Sequence, residues 1–271
     1  MSDLYSTLTS LLDRLESRAM AEAAVIRWAS PVPAFGDVTA ATVATLGLNP
    51  SNREFVDGAG QELEGTARRF HTLRSLGLRS WADADATHLR LIVESCDRYF
   101  LGNPYDRWFR VLDQVLTAAN ASFYASDKQV ACHLDLIPYA TEQKWNDLTL
   151  NQRTTLIRTS GTALASLLQQ SHIRVLILNG RAVVDHFSEL CGTPLVRHAM
   201  PNWALPRGSS KEVVGFSYSG VIDELSGIDI GHQLLVLGFN HNLQSSYGVT
   251  SNVIGEIGRW IAELSDQANV K

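Results

Sequence analysis

Three places in the chain put polar side chains where apolar runs stop, and each has the residue types to do chemistry. The first is Gly47-Leu48-Asn49-Pro50, which closes the run Val43 to Leu48. An amide there can orient water or a ligand. Pro50 fixes its own φ and keeps Asn49 out of helical geometry, so the backbone itself aims the side chain. The second is His133-Leu134-Asp135, two polar groups on one face of a short apolar strand. A lone carboxylate in such a strand is costly unless it meets a hydrogen-bond partner or a ligand. The third is Asn240-His241-Asn242-Leu243-Gln244-Ser245-Ser246-Tyr247, following the last apolar run. Each also has a plain structural reading, because Asn-Pro is common in strand-ending turns and Asp135 can be satisfied inside the fold.

These groups are useful only if the elements beneath them bring them together. Short apolar runs at Val43 to Leu48, Val130 to Ile137, Ile173 to Leu178 and Leu234 to Gly238 predict strands. Leu4, Leu8, Leu11, Leu12 and Leu15 recur at helical spacing, and further helices are predicted over Tyr105 to Leu116, Asn151 to Gln169, Ala182 to Leu190 and Val253 to Leu264. This alternation predicts an α/β fold, a three-layer α/β/α sandwich around a central, mainly parallel sheet. In such a sheet the carboxyl ends of the strands converge on one edge, where ligands bind. The three polar clusters are therefore expected side by side. Residues 191–233 are rich in Gly, Pro and Ser around an apolar Val213 to Phe216 run, and are expected to form an irregular excursion with one strand. No linker interrupts the chain, so a single domain over 1–271 is expected.

Composition narrows the class. The 271 residues are 45% hydrophobic and 19% charged without a low-complexity tract, which argues against disorder. The net charge of −5 counts against a generic nucleic-acid binder. Its distribution is uneven: residues 65–110 hold eight arginines against five acids, a net of +3, leaving −8 for the remainder. That window is either a basic face or a set of solvated helices of mixed charge. No signal peptide is evident at the N-terminus and no apolar run approaches the roughly 18 residues of a membrane span, so a soluble, cytoplasmic protein without membrane contact is expected. Cys96, Cys132 and Cys191 are widely separated and form no C-x-x-C pair, so they are expected to be buried thiols, with no metal site and no disulfide framework.

The order of motifs resembles the uracil-DNA glycosylase superfamily, most closely its mismatch-specific and thymine-DNA glycosylase branch. Gly47-Leu48-Asn49-Pro50 is similar to the family's first motif, whose Asn positions the attacking water. Asp106-Arg107-Trp108-Phe109, followed by Val111, is similar to the Asn-Arg-Phe-Trp helix start. Cys132 to Ile137 with Ala140-Thr141 resembles the strand that meets the flipped base, and Val175 to Ala182 resembles the strand-and-Gly motif that precedes a helix. Phe239 to Ser246 stands in the place of the last motif, whose loop inserts into DNA. The match spans residues 43–264, with an N-terminal helical segment (1–30) and an insertion (65–103) beyond the family's pattern. Asn242-Leu243 stands where the family has Pro-Ser, which leaves Asn240 and His241 as alternatives for contacting the leaving base.

The resemblance implies a monofunctional DNA glycosylase that needs no cofactor, metal or obligatory protein partner and that leaves an abasic site. Asn49 would hold the water, and Asn240 or His241 would donate to the base anion as charge develops. His133 and Asp135, with Phe55 or Phe70 stacking, would receive the base, and Leu243 and Tyr247 would act as DNA wedges. An ionised Asp135 accepts hydrogen bonds only, so it would favour the exocyclic amine of cytosine over the O4 acceptor of uracil. Excision of plain cytosine would be lethal, which points to a modified cytosine. The resemblance extends to a bacterial defence branch that removes glucosylated hydroxymethylcytosine from phage DNA, and the insertion at 65–103 would provide room for the sugar. A uracil or mismatch repair glycosylase, and a non-catalytic nucleic-acid-binding protein on the same fold, are the alternatives.

Overall fold

A computed structural model describes residues 2–102, 107–207, 211–244 and 246–269. Tyr105, the predicted start of a helix, Asp106, with which the second motif begins, and Ser245 of the last motif lie outside the described residues. In chain order the elements are α1 (Ser2–Leu15), α2 (Arg18–Glu22), β1 (Val43–Gly47), α3 (Leu73–Leu76), α4 (Ala86–Asp97), α5 (Tyr99–Gly102), α6 (Arg107–Ala118), β2 (Ala121–Ser122), β3 (Gln129–Asp135), α7 (Leu150–Gln169), β4 (Val175–Asn179), α8 (Arg181–Cys191), β5 (Val196–Arg207), β6 (Lys211–Leu225), β7 (Ile228–Phe239) and α9 (Ser251–Asn269).

The protein is α/β, with a seven-stranded mixed sheet in the order β2-β3-β1-β4-β7-β6-β5. Strands β2, β3, β1, β4 and β7 are mutually parallel. β1 and β4, at its centre, are buried at every position, as strands covered on both faces must be. Alternate residues feed two separate apolar clusters. Ala44, Leu46, Cys132, Leu134, Leu176 and Leu178 join the leucines of α1 and α7 in one. Val43, Ala131, Val175 and Ile177 join Leu112, Val115, Ile257 and Ile261 of α6 and α9 in the other. The period of two along each strand is what sends neighbours to opposite clusters.

Residues 191–233 depart from the expected irregular excursion. β5, β6 and the first half of β7 form a long antiparallel arm. Its strands are exposed at many positions, so beyond the short Val213 to Phe216 run within β6 they carry no long apolar run. Pro201 and Pro206 are tolerated because β5 is the edge strand and its register shifts between Met200 and Leu205. Leu225 pairs with Ile228 across Ser226-Gly227, both at positive φ (52° and 77°), a two-residue turn whose twist suits the strands it joins. The thiols also divide: Cys96 and Cys132 are buried, whereas Cys191 is half-buried. No helix among the described residues is long and apolar enough to cross a membrane.

Candidate active site

Because β1, β3, β4 and β7 run the same way, their carboxyl ends share one edge. Gly47 pairs with Asp135, Leu46 with Leu178, and Asn179 with Phe239, so the four ends are nearly level. The β1–β3 pairing continues past the strands, with Leu136 donating to the Gly47 carbonyl and Ile137 to that of Leu48. Asn49 is thereby held on a fixed backbone.

The Asn49 amide is oriented by groups that can only receive its protons. Nδ2 donates to the carbonyls of Pro50 (3.2 Å) and Tyr139 (3.4 Å) and to Thr141 Oγ1 (3.1 Å), whose own proton goes to the Gln143 carbonyl (2.7 Å). Carbonyl oxygens accept only, so this face must be the NH2 and not the oxygen. Oδ1 points the other way and accepts from no described residue. It is an acceptor with a set direction on a half-buried side chain.

Asp135 is 7% exposed, and His133, on the same face of β3, is 2% exposed. His133 Nε2 lies 3.4 Å from Asp135 Oδ1, while Nδ1 lies 2.7 Å from Thr45 Oγ1. No other described residue is hydrogen-bonded to the Asp135 carboxylate. Rings of Phe35, Trp108 and Phe109 stand 5.5, 5.2 and 5.2 Å from the imidazole and fix its plane. Phe35 also exchanges both backbone hydrogen bonds with His133, which clamps this point of β3. Gly47 makes room for the pair: a Cβ there would sit 2.4 Å from Asp135 Oδ1 and 2.9 Å from His133 Nε2.

The last motif closes the edge. Gly180, at φ 94°, lets β4 turn directly into α8, and Asn242 packs 3.4 Å from where its Cβ would be. Asn179 Nδ2 donates to Gln244 Oε1 (3.0 Å), and Gln244 Nε2 donates to the Trp108 carbonyl (3.3 Å). Asn179 Oδ1 is buried without a hydrogen-bond partner among the described residues.

Five of the expected site residues are committed elsewhere. Asn240 Oδ1 accepts from the Phe216 amide (2.7 Å) and Nδ2 donates one of its two protons to the Val214 carbonyl (2.8 Å), so the side chain extends the β6–β7 ladder and its orientation is set by that strand. His241 Nε2 donates to the Trp203 carbonyl (2.7 Å), and burial holds its pKa below the ordinary value against that bond. The neutral ring has only the acceptor Nδ1 left. Phe55 and Phe70 are each 1% exposed, and Phe70 is stacked on Tyr99 (5.3 Å, 9°) and edged by Phe35, so they pack in the interior and present no face to a base. Tyr99 reaches Phe70 from 29 positions further along the chain, a contact that local sequence does not announce. Leu243 is 5% exposed in the core cluster with α6 and α9 and displays no wedge, whereas Tyr247 is 79% exposed.

The structure therefore brings together Asn49, His133 and Asp135, and adds Thr45, Trp108, Thr141, Asn179 and Gln244, which sequence reasoning had not assigned roles. Thr45 had a signal, since a buried hydroxyl two residues before Gly47 shares its face. Among the described residues no group of three His, Cys, Asp or Glu side chains is placed to hold a metal ion. Compared with models of known protein families the chain matches none, and no curated protein matches it at a significant level. Its chemistry is read from its own residues.

Proposed function

We propose that the chain is a DNA glycosylase that flips out a modified cytosine, such as glucosylated hydroxymethylcytosine, and hydrolyses its N-glycosidic bond. The observation that carries the reading is the buried Asp135 carboxylate, with His133 as its partner among the described residues, on the same sheet edge as an Asn49 whose Oδ1 is aimed and accepts from no described residue. A buried carboxylate with a single imidazole beside it has lone pairs left for a ligand that brings donors, and the exocyclic amine of cytosine is such a donor. Asn49 Oδ1 orients a water toward C1′ of the flipped nucleotide. The water oxygen bonds to C1′ as the C1′–N1 bond breaks, the departing base keeps the electron pair, and the water's proton is passed on to the base or to solvent. Positioning of this kind in a water-excluding site supplies much of the acceleration. The half-buried Trp108, edge-on to His133, offers the aromatic surface expected of Phe55 or Phe70. The two core clusters support a three-layer sandwich, taken as one domain with 1–30 and 65–103 added to it. DNA is the only partner the reading requires, and it places the protein in the cytoplasm with no cofactor.

One observation favours a non-catalytic DNA-binding protein instead: both candidate donors of the last motif, Asn240 and His241, are bonded to backbone carbonyls. A single assay separates the readings. Purified protein is incubated with oligonucleotides carrying cytosine, hydroxymethylcytosine, its glucosylated form, uracil or a G·T mismatch, and abasic sites are revealed by alkaline cleavage. Cleavage is expected at the glucosylated base and not at uracil. Cleavage at uracil or the mismatch alone makes the protein a repair glycosylase, and no cleavage anywhere removes the enzyme reading.

A further inference from the structure

A cleft of about 470 Å³ opens between the segment around Arg68 to His71 and the facing surfaces of α4 and α5, within the insertion. Arg68, Arg69 and Arg98 line it, with Glu94 as the acid among the lining residues. Arg69 is paired with the buried Glu54 (3.0 Å), and Glu94 with Arg90 (3.7 Å) on the same helix. Arg68 and Arg98 are exposed, and their guanidinium groups have no ion pair among the described residues. His71, also lining the cleft, has its pKa pushed down to about 4, first by burial and then by the Arg68 charge. A space of this size suits a small organic ligand better than a bare ion. Two unpaired guanidinium forks facing such a space suit a phosphate, whose oxygens they can bind in pairs.

We propose that this cleft is a phosphate-ester site in which Arg68 and Arg98 bind a nucleotide phosphate, and that the phosphate belongs to the DNA strand entering the candidate active site. The cleft and the site share a wall. Tyr99 lines the cleft and lies 4.9 Å from Phe35, which lies 5.5 Å from His133. The inference rests on the glycosylase reading only for the source of the phosphate. The same chemistry would serve a free nucleotide, whereas the neutral glucosyl group expected at the insertion gains little from two cations.

The test is equilibrium binding by fluorescence anisotropy, with a labelled single-stranded oligonucleotide across a range of salt, of wild type, Arg68→Ala/Arg98→Ala and, as control, Arg158→Ala on α7. Deoxycytidine monophosphate and methyl glucoside are titrated as competitors. Loss of two phosphate contacts is expected to flatten the log–log salt dependence by about 1.4 and to weaken binding about 10-fold or more at low salt. Melting temperature should be unchanged, because both side chains are exposed and unpaired. Loss of nucleotide binding alone keeps the phosphate-ester site and overturns the strand as its source. An unchanged salt slope together with unchanged nucleotide binding, or glucoside binding as the only property lost, overturns the site. Chemistry is not the readout, so arginine-dependent binding by a protein that excises nothing would sink the glycosylase reading and leave this one standing.

Discussion

Asn49 is anchored by its nitrogen, and in the proposed reaction it acts through its oxygen. Asn49→Ala removes hydrogen bonds to Tyr139 and Thr141, which should cost about 1 kcal/mol of stability. Abasic-site formation should fall by about 100-fold or more, as for loss of one preorganised contact. Undiminished cleavage would remove Asn49 from the chemistry. Asp135→Asn keeps size but gains donors, so it should shift preference from the modified cytosine toward uracil by about 5- to 150-fold, read from single-turnover rates on the two bases. A variant that keeps both the wild-type rate and preference would make Asp135 a satisfied strand residue. Gly47→Ala tests the room between them. Its Cβ would collide with Asp135 and His133, so it should cost about 1–3 kcal/mol by denaturant unfolding and impair excision as much as Asp135→Asn.

At the scale of elements, the loop after β7 is held at Asn240, His241 and Gln244 and presents Tyr247 outward. Tyr247→Ala should slow excision from duplex about 10-fold or more while sparing single strands, because only duplex must be unstacked. Equal losses on both substrates would assign Tyr247 to the pocket. The site was legible where local pattern and tertiary role coincide. Val43 to Leu48 and the His133-Asp135 alternation announce buried strands with polar ends, and a parallel sheet then brings the ends together. The roles of Asn240 and His241 are not legible, because Asn and His look alike in sequence whether they face a ligand or a neighbouring strand. The β5–β6 arm that receives them was hidden by its exposed alternation and its prolines. Phe55 and Phe70 were misplaced for a related reason: Tyr99, which stacks on Phe70, arrives from the far side of the insertion.

At the scale of the whole molecule, the half-buried acid Asp97 ties stability to pH. Its pKa is pushed up to about 6, by burial first and then by the charges of Asp37 and Glu94. The folded value exceeds the unfolded one, so the carboxylate opposes folding above about pH 6, and that cost disappears as pH falls from about 6 toward 3.8. Asp97→Asn should therefore raise the melting temperature by about 2 °C at pH 8 and give no gain at pH 4. A gain of equal size at both would assign the effect to packing. His71 works in the opposite sense, because its folded pKa of about 4 lies below 6.5 and stability on its account rises with pH between those values.

The bond series from Asn179 through Gln244 to the Trp108 carbonyl joins the end of β4, the loop bearing Tyr247 and the start of α6. Trp108 is also the ring that stands edge-on to His133. The loop is thus tied to the ring beside His133 by side-chain and carbonyl bonds. If the chain acts on DNA as proposed, a duplex pressing on Tyr247 and a base arriving beside His133 would act on two ends of one mechanical linkage, so engagement at the surface and acceptance in the interior would report to each other before any bond is broken.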